Sequence, residues 1–262
     1  MEIINLSAEH QDSYFCCLED WSDEMGEAGD HKSRWYHKMR DRGLRVNLAI
    51  DDHGRPVGMI QYLPIEHSPA LGSDLYMIMC IWVHGHKEGV GNRQGRGIGT
   101  ALLASAEHDT RERGAKGLAA WGLVLPVWMK ARWFKKRGYS TVDRRGMRSL
   151  LWKPFTEDAV PPRWIGQASK PPRVEGKVAV TAFVNGWCPA QNLVYERAKK
   201  AAAALGDDVV FESHDTSEQS AMVQCGETDC VYLDGRPLQK GSPPSYETIH
   251  KKMAKRVAHL HR

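Results

Sequence analysis

Residues 94–100, QGRGIGT, combine glycine and arginine in a pattern that suits an anion. Gly95, Gly97 and Gly99 lack a Cβ atom, so the backbone there can adopt positive φ and approach a ligand closely. A helical pattern follows directly, and the first N–H groups of a helix are free to donate to phosphate oxygens. Arg96 adds positive charge within the loop. The stretch is therefore predicted to bind a phosphate group.

The segments around this loop read as strand, turn, helix and strand. Residues 75–83, LYMIMCIWV, form an apolar run typical of a buried central strand. Apolar residues then recur at helical spacing from Ile98 until Gly114, residues 116–121 read as the next strand, and residues 144–153 read as a single final strand. The loop has neither the Gly-Lys-Ser/Thr of NTP-binding loops nor the Gly-x-Gly-x-x-Gly of dinucleotide-binding folds.

With Gln94, Gly97 and Gly99 in register, the loop resembles motif A of the GNAT N-acetyltransferases, Gln/Arg-x-x-Gly-x-Gly/Ala. Residues 133–139, WFKKRGY, are similar to the closing signature of that family. The resemblance covers residues 1–153 and implies an α/β (α+β) fold with a mixed, splayed central sheet. It implies acetyl-CoA as co-substrate and acetyl transfer to an amine of a small molecule or peptide.

The resemblance also implies where CoA binds. In the family, the loop holds the pyrophosphate, and the pantetheine arm pairs with strand backbone in the gap between two strands. The expected cofactor-binding residues are Ile81, Val83, Gln94, Gly95, Arg96, Gly97, Ile98, Gly99 and Thr100. Part of the acceptor site is expected in residues 8–42, which read as two helices with an acidic break.

The usual acid and base of the family are missing. Many members carry a Glu on the central strand as general base and a Tyr before the closing Gly-aromatic pair as general acid. The equivalent strand positions here are apolar, and the Tyr position is Phe134. The remaining ionisable candidates are Asp74, Tyr76, Cys80, His84, His86 and Tyr139. Of these, Cys80, His84 and Tyr139 are the predicted catalytic residues, unless water supplies the proton.

His84 and His86 are spaced so that both could bind zinc, but a site needs about three or four ligands, and no Cys-x-x-Cys lies nearby. No metal is therefore predicted. A solvated loop position and a role as base or in the acceptor site remain open for both histidines.

The second half of the chain begins after a Pro-rich linker at residues 154–175. Residues 176–262 resemble the smaller thioredoxin/glutaredoxin fold, with Cys188 at a helix N-terminus, where thiolate is favoured. Gln191 replaces the second cysteine, and Asp229 stands where that family has its cis-proline. The combination with the first domain resembles bacterial GNAT acetyltransferases that carry a YoaP-like domain. Cys188 is the fourth predicted catalytic residue, as a reactive thiol, and an inert, partly buried residue is the alternative.

Composition sets the outer bounds of the function. The chain has 262 residues, a net charge of +4 and six cysteines, without an apolar stretch of membrane-spanning length or a secretion signal. These features predict a cytoplasmic protein with reduced thiols that binds neither nucleic acid nor membranes. The alternative to an acetyltransferase is a CoA-binding sensor, or a thiol-dependent protein that uses Cys188 to bind a thiol, an electrophile or a metal.

Overall fold

The structure, a computed structural model, describes residues 1–125, 128–166, 170–239 and 241–260. The chain divides into two compact units, the first made of Met1–Trp21 and Tyr36–Ile165. The second consists of Ser22–Trp35 and Gly166–Arg262, so it includes a segment from near the amino terminus that the sequence did not assign to it. The boundaries 1–153, 154–175 and 176–262 stay predictions. Pro126, Val127 and residues 167–169 of the predicted linker lie outside the described residues.

The first unit is built on a seven-stranded mixed sheet with the order β1-β2-β3-β5-β6-β8-β7. Its strands are β1 (Glu2–Asn5), β2 (Arg45–Ile50), β3 (Pro56–Pro64), β5 (Leu75–Val83), β6 (Gly117–Leu123), β7 (Ser140–Arg145) and β8 (Arg148–Pro154). Only the central pair β5 and β6 is parallel within this sheet. Two short strands, β4 (Ala70–Leu71) and β9 (Arg163–Trp164), pair separately. The predicted mixed α/β architecture is confirmed.

The helices that precede β2 are short. They are α1 (Gln11–Phe15), α2 (Asp23–Gly26) and α3 (His31–Arg40). The predicted break between two helices therefore contains a helical turn of its own, and the division between the units falls within α3.

Helix α4 (Ile98–Glu112) follows the glycine loop and packs on the sheet through one apolar face. Ile98, Leu102 and Ala106 recur every four residues and are buried. Helix α5 (Ala131–Lys135) packs near the same sheet through Phe134, which is fully buried. These two helices hold the loop and the closing signature close to the end of β5.

Strands β5 and β6 separate halfway along their length. Their pairing runs from Leu75 opposite Gly117 to Ile78 opposite Ala120 and then ends. The indole Nε1 of Trp121 donates to the carbonyl of Met79 at 2.8 Å, so a side chain takes the place of the next backbone pair. The central sheet is splayed at this point, as the sequence predicted.

The prediction of a single final strand over residues 144–153 was wrong. The structure has a hairpin of β7 and β8, with the turn at Gly146, where φ is +59°. Strand β7 was missed because its residues are mostly half-buried and polar, so it lacks the apolar pattern of a core strand.

The second unit has a four-stranded sheet with the order β11-β10-β12-β13. Its elements are β10 (Val178–Val184), α6 (Pro189–Ala204), β11 (Val209–Asp215), α7 (Gln219–Cys225), β12 (Cys230–Leu233), β13 (Arg236–Pro237) and α8 (Tyr246–Leu260). Strands β10 and β11 are parallel, whereas β10 and β12 are antiparallel. Val180, Ala198 and Ile249 bring the sheet, α6 and α8 into one apolar core. None of the helices in either unit, as far as the described residues go, has both the length and the apolar character that a membrane span requires.

Candidate active site

A cleft of about 450 Å³ lies beside the carboxyl end of β5. The strand, the glycine loop and the start of α4 form one part of it, and residues on and around α5 form the other. Its lining includes Ile81, Trp82, Val83, Arg93, Gln94, Gly95, Gly97, Ile98, Gly99, Thr100, Trp128, Lys130, Trp133 and Arg137. Every predicted cofactor-binding residue except Arg96, which is exposed elsewhere on the loop, therefore lines the same cleft.

The glycines give the loop its shape. Gly95 and Gly97 have φ of +77° and +81°, a region that favours glycine, and no heavy atom lies within 4 Å of the position that a Cβ would take. Gly97 is the N-cap of α4, and its carbonyl accepts the N–H groups of Thr100 and Ala101. The N–H groups at the start of the helix have no intrahelical acceptor. The loop can therefore donate to an anion.

Positive side chains border the loop. The Arg137 guanidinium lies 3.8 Å from the centre of the Trp133 ring and donates to Thr100 Oγ1 at 2.8 Å. Burial lowers the pKa of Arg137, but a guanidinium still carries its charge at neutral pH. Arg93 donates to Asp51 at 3.1 Å, and this carboxylate partly neutralises the charge of Arg93. Arg137 is thus the better placed of the two arginines to hold an anion at the loop.

Gln94 ties the loop to the central strand. Its Nε2 donates to the carbonyl of Val83 at 3.2 Å, and its own backbone N–H donates to Asn92 Oδ1 at 2.9 Å. A Cβ on Gly85 would collide with Gln94 Nε2, so this close approach requires glycine there. These contacts fix the loop in register with the end of β5.

Cys80 and Tyr139 do not line the cleft. Cys80 is only 3% exposed and pairs in the sheet with Gln61, whose side chain accepts a hydrogen bond from Tyr14. Tyr139 is likewise 3% exposed and packs against Phe134, with 5.5 Å between the ring centres. Burial first, and then the Glu107 carboxylate, raise the pKa of Tyr139 far above its usual value.

His84 is fully buried, and both of its ring nitrogens have partners. Nδ1 lies 2.9 Å from the carbonyl of Gly91, and Nε2 accepts the indole N–H of Trp21 at 3.2 Å. Because a carbonyl can only accept and an indole can only donate, His84 is neutral with its proton on Nδ1. The geometry makes His84 a support for Trp21 and for the segment after β5.

His86 lies in a more open cluster with Glu19, Trp21 and Trp82. Its Nε2 is 3.4 Å from Glu19 Oε1, and its side chain is 41% exposed. Its ring centre lies 5.3 Å from that of Trp21 and 6.0 Å from that of Trp82. Trp82 also lines the cleft, so this cluster adjoins it.

Sequence reasoning missed several of these residues. Trp21 lies in the segment expected to hold part of the acceptor site, but Glu19 was missed because it lies more than sixty positions from His86 and carries no motif that would connect the two. Arg137 and Trp133 were not named as site residues, although they lie within the recognised closing signature. The remaining predicted catalytic residue, Cys188, belongs to the second unit, where it is buried as the N-cap of α6.

The fold and the loop geometry agree with the family match. Residues 6–139 match the model of the acetyltransferase (GNAT) family. The chain belongs to the GNAT acetyltransferase family. The predicted enzyme class, acetyltransferase, is thereby confirmed, together with acetyl-CoA as co-substrate.

Several solved structures of GNAT proteins are similar to part of the chain. A putative acyl-CoA N-acyltransferase from Klebsiella pneumoniae is 14% identical, covers 59% of this chain and 97% of its own, and has a TM-score of 0.43. A GNAT acetyltransferase from Staphylococcus aureus is 15% identical, with coverages of 59% and 99% and a TM-score of 0.45. One from Brucella melitensis, solved with acetyl-CoA, is 16% identical, with coverages of 61% and 90% and a TM-score of 0.42. No curated protein matches the sequence.

A metal centre has no support in the same region. Among the described residues, no group of three or more His, Cys, Asp or Glu is arranged to hold a metal ion. His84 and His86 are neighbours, with 5.7 Å between the ring centres, but both nitrogens of His84 already have protein partners.

Proposed function

We propose that the protein transfers the acetyl group of acetyl-CoA to an amine of a small molecule or peptide, and that the cleft beside β5 is its active site. The observation that carries this proposal is the loop at Gly95 and Gly97. Both glycines have left-handed backbone conformations with free space beside them, and Gly97 is the N-cap of α4. Such a loop suits the pyrophosphate of CoA.

The residues of the cleft fit the rest of that co-substrate. The pairing of β5 with β6 ends at Ile78. The backbone of Ile81 and Val83, further along β5, can therefore pair with the pantetheine amides. Arg137 and Lys130 would supply positive charge near the phosphates. These assignments rest on the lining of the cleft and on family membership.

For the acceptor we propose the cluster of Glu19, Trp21, Trp82 and His86. Aromatic rings and a carboxylate attract an ammonium group, the form in which an alkyl amine arrives at neutral pH. That ammonium must lose a proton before its nitrogen can attack a thioester carbonyl. His86, half exposed and paired with Glu19, is the side chain of the cluster that can accept this proton.

The overall reaction balances with one proton released. After His86 has taken the first proton, the amine nitrogen forms a bond to the acetyl carbon and loses its second proton to water. The bond from that carbon to sulfur breaks, and the sulfur leaves and takes up one proton from water. His86 takes the proton from the ammonium and passes it to solvent. With Tyr139 buried and Phe134 at the usual acid position, water is the proton donor that we propose for the departing sulfur.

For the second unit we propose a thioredoxin-like, YoaP-like fold. It is supported by the order β11-β10-β12-β13, with a parallel β10-β11 pair joined through α6 and an antiparallel β12. Cys188 at the start of α6 keeps a thiol-dependent role as the alternative function. A cytoplasmic location stays part of the proposal, on the cysteine spacing of the sequence alone.

The proposed function is tested by following free thiol released from acetyl-CoA against a panel of amines. We expect thiol release that depends on one class of amine and that yields an acetylated product of the corresponding mass. Binding of CoA without turnover on any amine would favour the alternative of a CoA-binding sensor. A Cys188→Ser variant separates the two functions, since it should leave amine acetylation intact.

A further inference from the structure

A second cleft, of about 460 Å³, lies in the carboxyl-terminal unit between α8 and the β12-β13 hairpin. We call it the α8 cleft. Its walls carry Arg236 from β13 and Lys252, Lys255, Arg256 and His259 from α8. The floor is apolar and includes Leu233 and Leu238, both buried. The cleft therefore combines clustered positive charge with an apolar surface.

The positive charge is concentrated on one face of α8. Lys252, Lys255, Arg256 and His259 follow one another at helical spacing, so their side chains lie on the same face of the helix. Neighbouring like charges at this spacing destabilise a helix. The helix dipole favours cations near the carboxyl end of α8. It does not explain the positive charge of Arg236, because that residue lies on a strand.

Little negative charge offsets these groups. Across the described part of the chain, the one carboxylate within 4 Å of them belongs to Asp234, which lies 3.5 Å from Arg256. Asp234 also accepts the backbone N–H of Ala179, so it is shared with the sheet. Lys252 donates to the carbonyl of Leu238 at 3.3 Å, a neutral partner. Arg236 and Lys255 are left to face the cleft without an ion pair among the described residues.

We propose that the α8 cleft binds a small phosphate-bearing molecule whose planar or apolar part rests on the leucine floor. Guanidinium groups match the oxygens of a phosphate through paired hydrogen bonds, and ammonium groups add charge. The volume is that of a small-ligand site, and the concave apolar floor suits a nucleotide-sized molecule better than the backbone of a nucleic acid duplex. This site is separate from the glycine loop of the acetyltransferase cleft in its residues and in its unit.

The test uses ADP as the probe and the full chain as the protein. Because the glycine loop is also expected to bind phosphates, calorimetric titrations are done in a Gly97→Asp background. The cleft variant adds Arg236→Gln and Lys255→Gln, and the matched control adds Lys251→Gln, an exposed lysine of the same helix that does not line the cleft. A cooperative thermal unfolding transition is required of each variant, as the check that the variant is folded.

We expect saturable binding of ADP with one molecule per chain in the Gly97→Asp background and in the Lys251→Gln control. The affinity should fall by at least about tenfold in the cleft variant and should weaken with added salt in all of them. Equal affinity in the cleft variant and the control would overturn the proposal, as would the lack of saturable ADP binding. A duplex DNA or RNA probe that binds through Arg236 and Lys255 when ADP does not would overturn it in favour of a nucleic-acid surface.

Discussion

Gly97 is the residue on which the proposed CoA site depends most directly. We expect Gly97→Asp to weaken CoA binding by about 100-fold or more, because a side chain and a negative charge would enter the space proposed for the pyrophosphate. Asp is a favourable N-cap residue and tolerates positive φ better than most side chains, so α4 itself should persist. Calorimetric titration with CoA measures the effect.

Gly114 offers a matched control for this substitution. It has φ of +77°, is exposed beyond the carboxyl end of α4, and has no heavy atom within 4 Å of the position that a Cβ would take. Gly114→Asp therefore imposes a similar backbone cost away from the cleft. If both variants lost CoA binding equally, or if Gly97→Asp kept it, the loop would not be the pyrophosphate site.

The proposed base, His86, is distinguished from His84 by its exposure and partners. We expect His86→Gln to lower kcat by about 100-fold with a much smaller effect on the KM for acetyl-CoA, because removing a general base costs on this order. The ascending limb of the pH–kcat profile should disappear in the variant. Steady-state thiol release at several pH values checks both effects.

His108→Gln, on the exposed face of α4, is the control for this variant. An unchanged pH profile in His86→Gln would remove His86 from the mechanism. A large loss of activity in Glu19→Gln with a normal His86→Gln would instead point to the carboxylate itself.

The turn between β2 and β3 supports the glycine loop through Asp51 and Arg93. Partial burial raises the pKa of Asp51, but hydrogen bonds from the backbone N–H and guanidinium of Arg55 and from the N–H of His53 bring it down to about 2. Because this folded-state pKa lies below the ordinary value of 3.8, Asp51 stabilises the fold above about pH 4. That contribution is lost as the pH falls from about 4 towards 2.

We therefore expect Asp51→Asn to reduce the free energy of unfolding by about 1–2 kcal/mol at pH 7, since charged hydrogen bonds are weakened. The difference between wild type and variant should shrink as the pH is lowered from 4 to 2. Urea titrations across this range measure it. A difference that grows at low pH would contradict the assigned ion pairs.

The elements that position the glycine loop were predictable from the sequence. Strand β5 was predicted at its observed bounds because it is a continuous apolar run, and α4 because glycines mark both of its ends. Strand β7 escaped prediction because its side chains are polar and only half buried. The local sequence pattern predicts an element well when its side chains are fully buried, and predicts it poorly when they are only partly buried.

The chemistry of the site was less predictable because it depends on distant contacts. His84, His86 and Tyr139 could all be found as candidates, but their burial and partners decide what they can do. Glu19 meets His86 only because the segment after α1 and the segment after β5 come together in the fold. No spacing rule in the sequence expresses such a contact.

The second unit holds a segment from near the amino terminus. Arg197 on α6 is buried and donates to Glu24 at 2.8 Å, to Glu27 at 2.9 Å and to the carbonyl of Pro244 at 3.1 Å. His31 lies 2.6 Å from Glu196 on the same helix. Residues 22–35 thus fold with the carboxyl-terminal part of the chain, to which they are not adjacent in sequence.

We expect Arg197→Met to lower the free energy of unfolding of this unit by about 1.5–3 kcal/mol, the usual contribution of hydrogen bonds to a charged group. Glu24 and Glu27 are half exposed, so their charges would remain solvated after the change. Hydrogen exchange should become faster in residues 22–35. Lys199→Met, at an exposed position of α6, is the control, and equal exchange in the two variants would contradict this role of Arg197.

In the proposed function, the cleft beside β5 binds acetyl-CoA at the glycine loop and acetylates an amine. Steady-state release of free thiol from acetyl-CoA, measured with a panel of amines for the wild type, Gly97→Asp and Gly114→Asp, tests this function. We predict amine-dependent release in the wild type and Gly114→Asp, and none in Gly97→Asp. Amine-dependent release that persists in Gly97→Asp would show that the glycine loop does not hold the reacting acetyl-CoA.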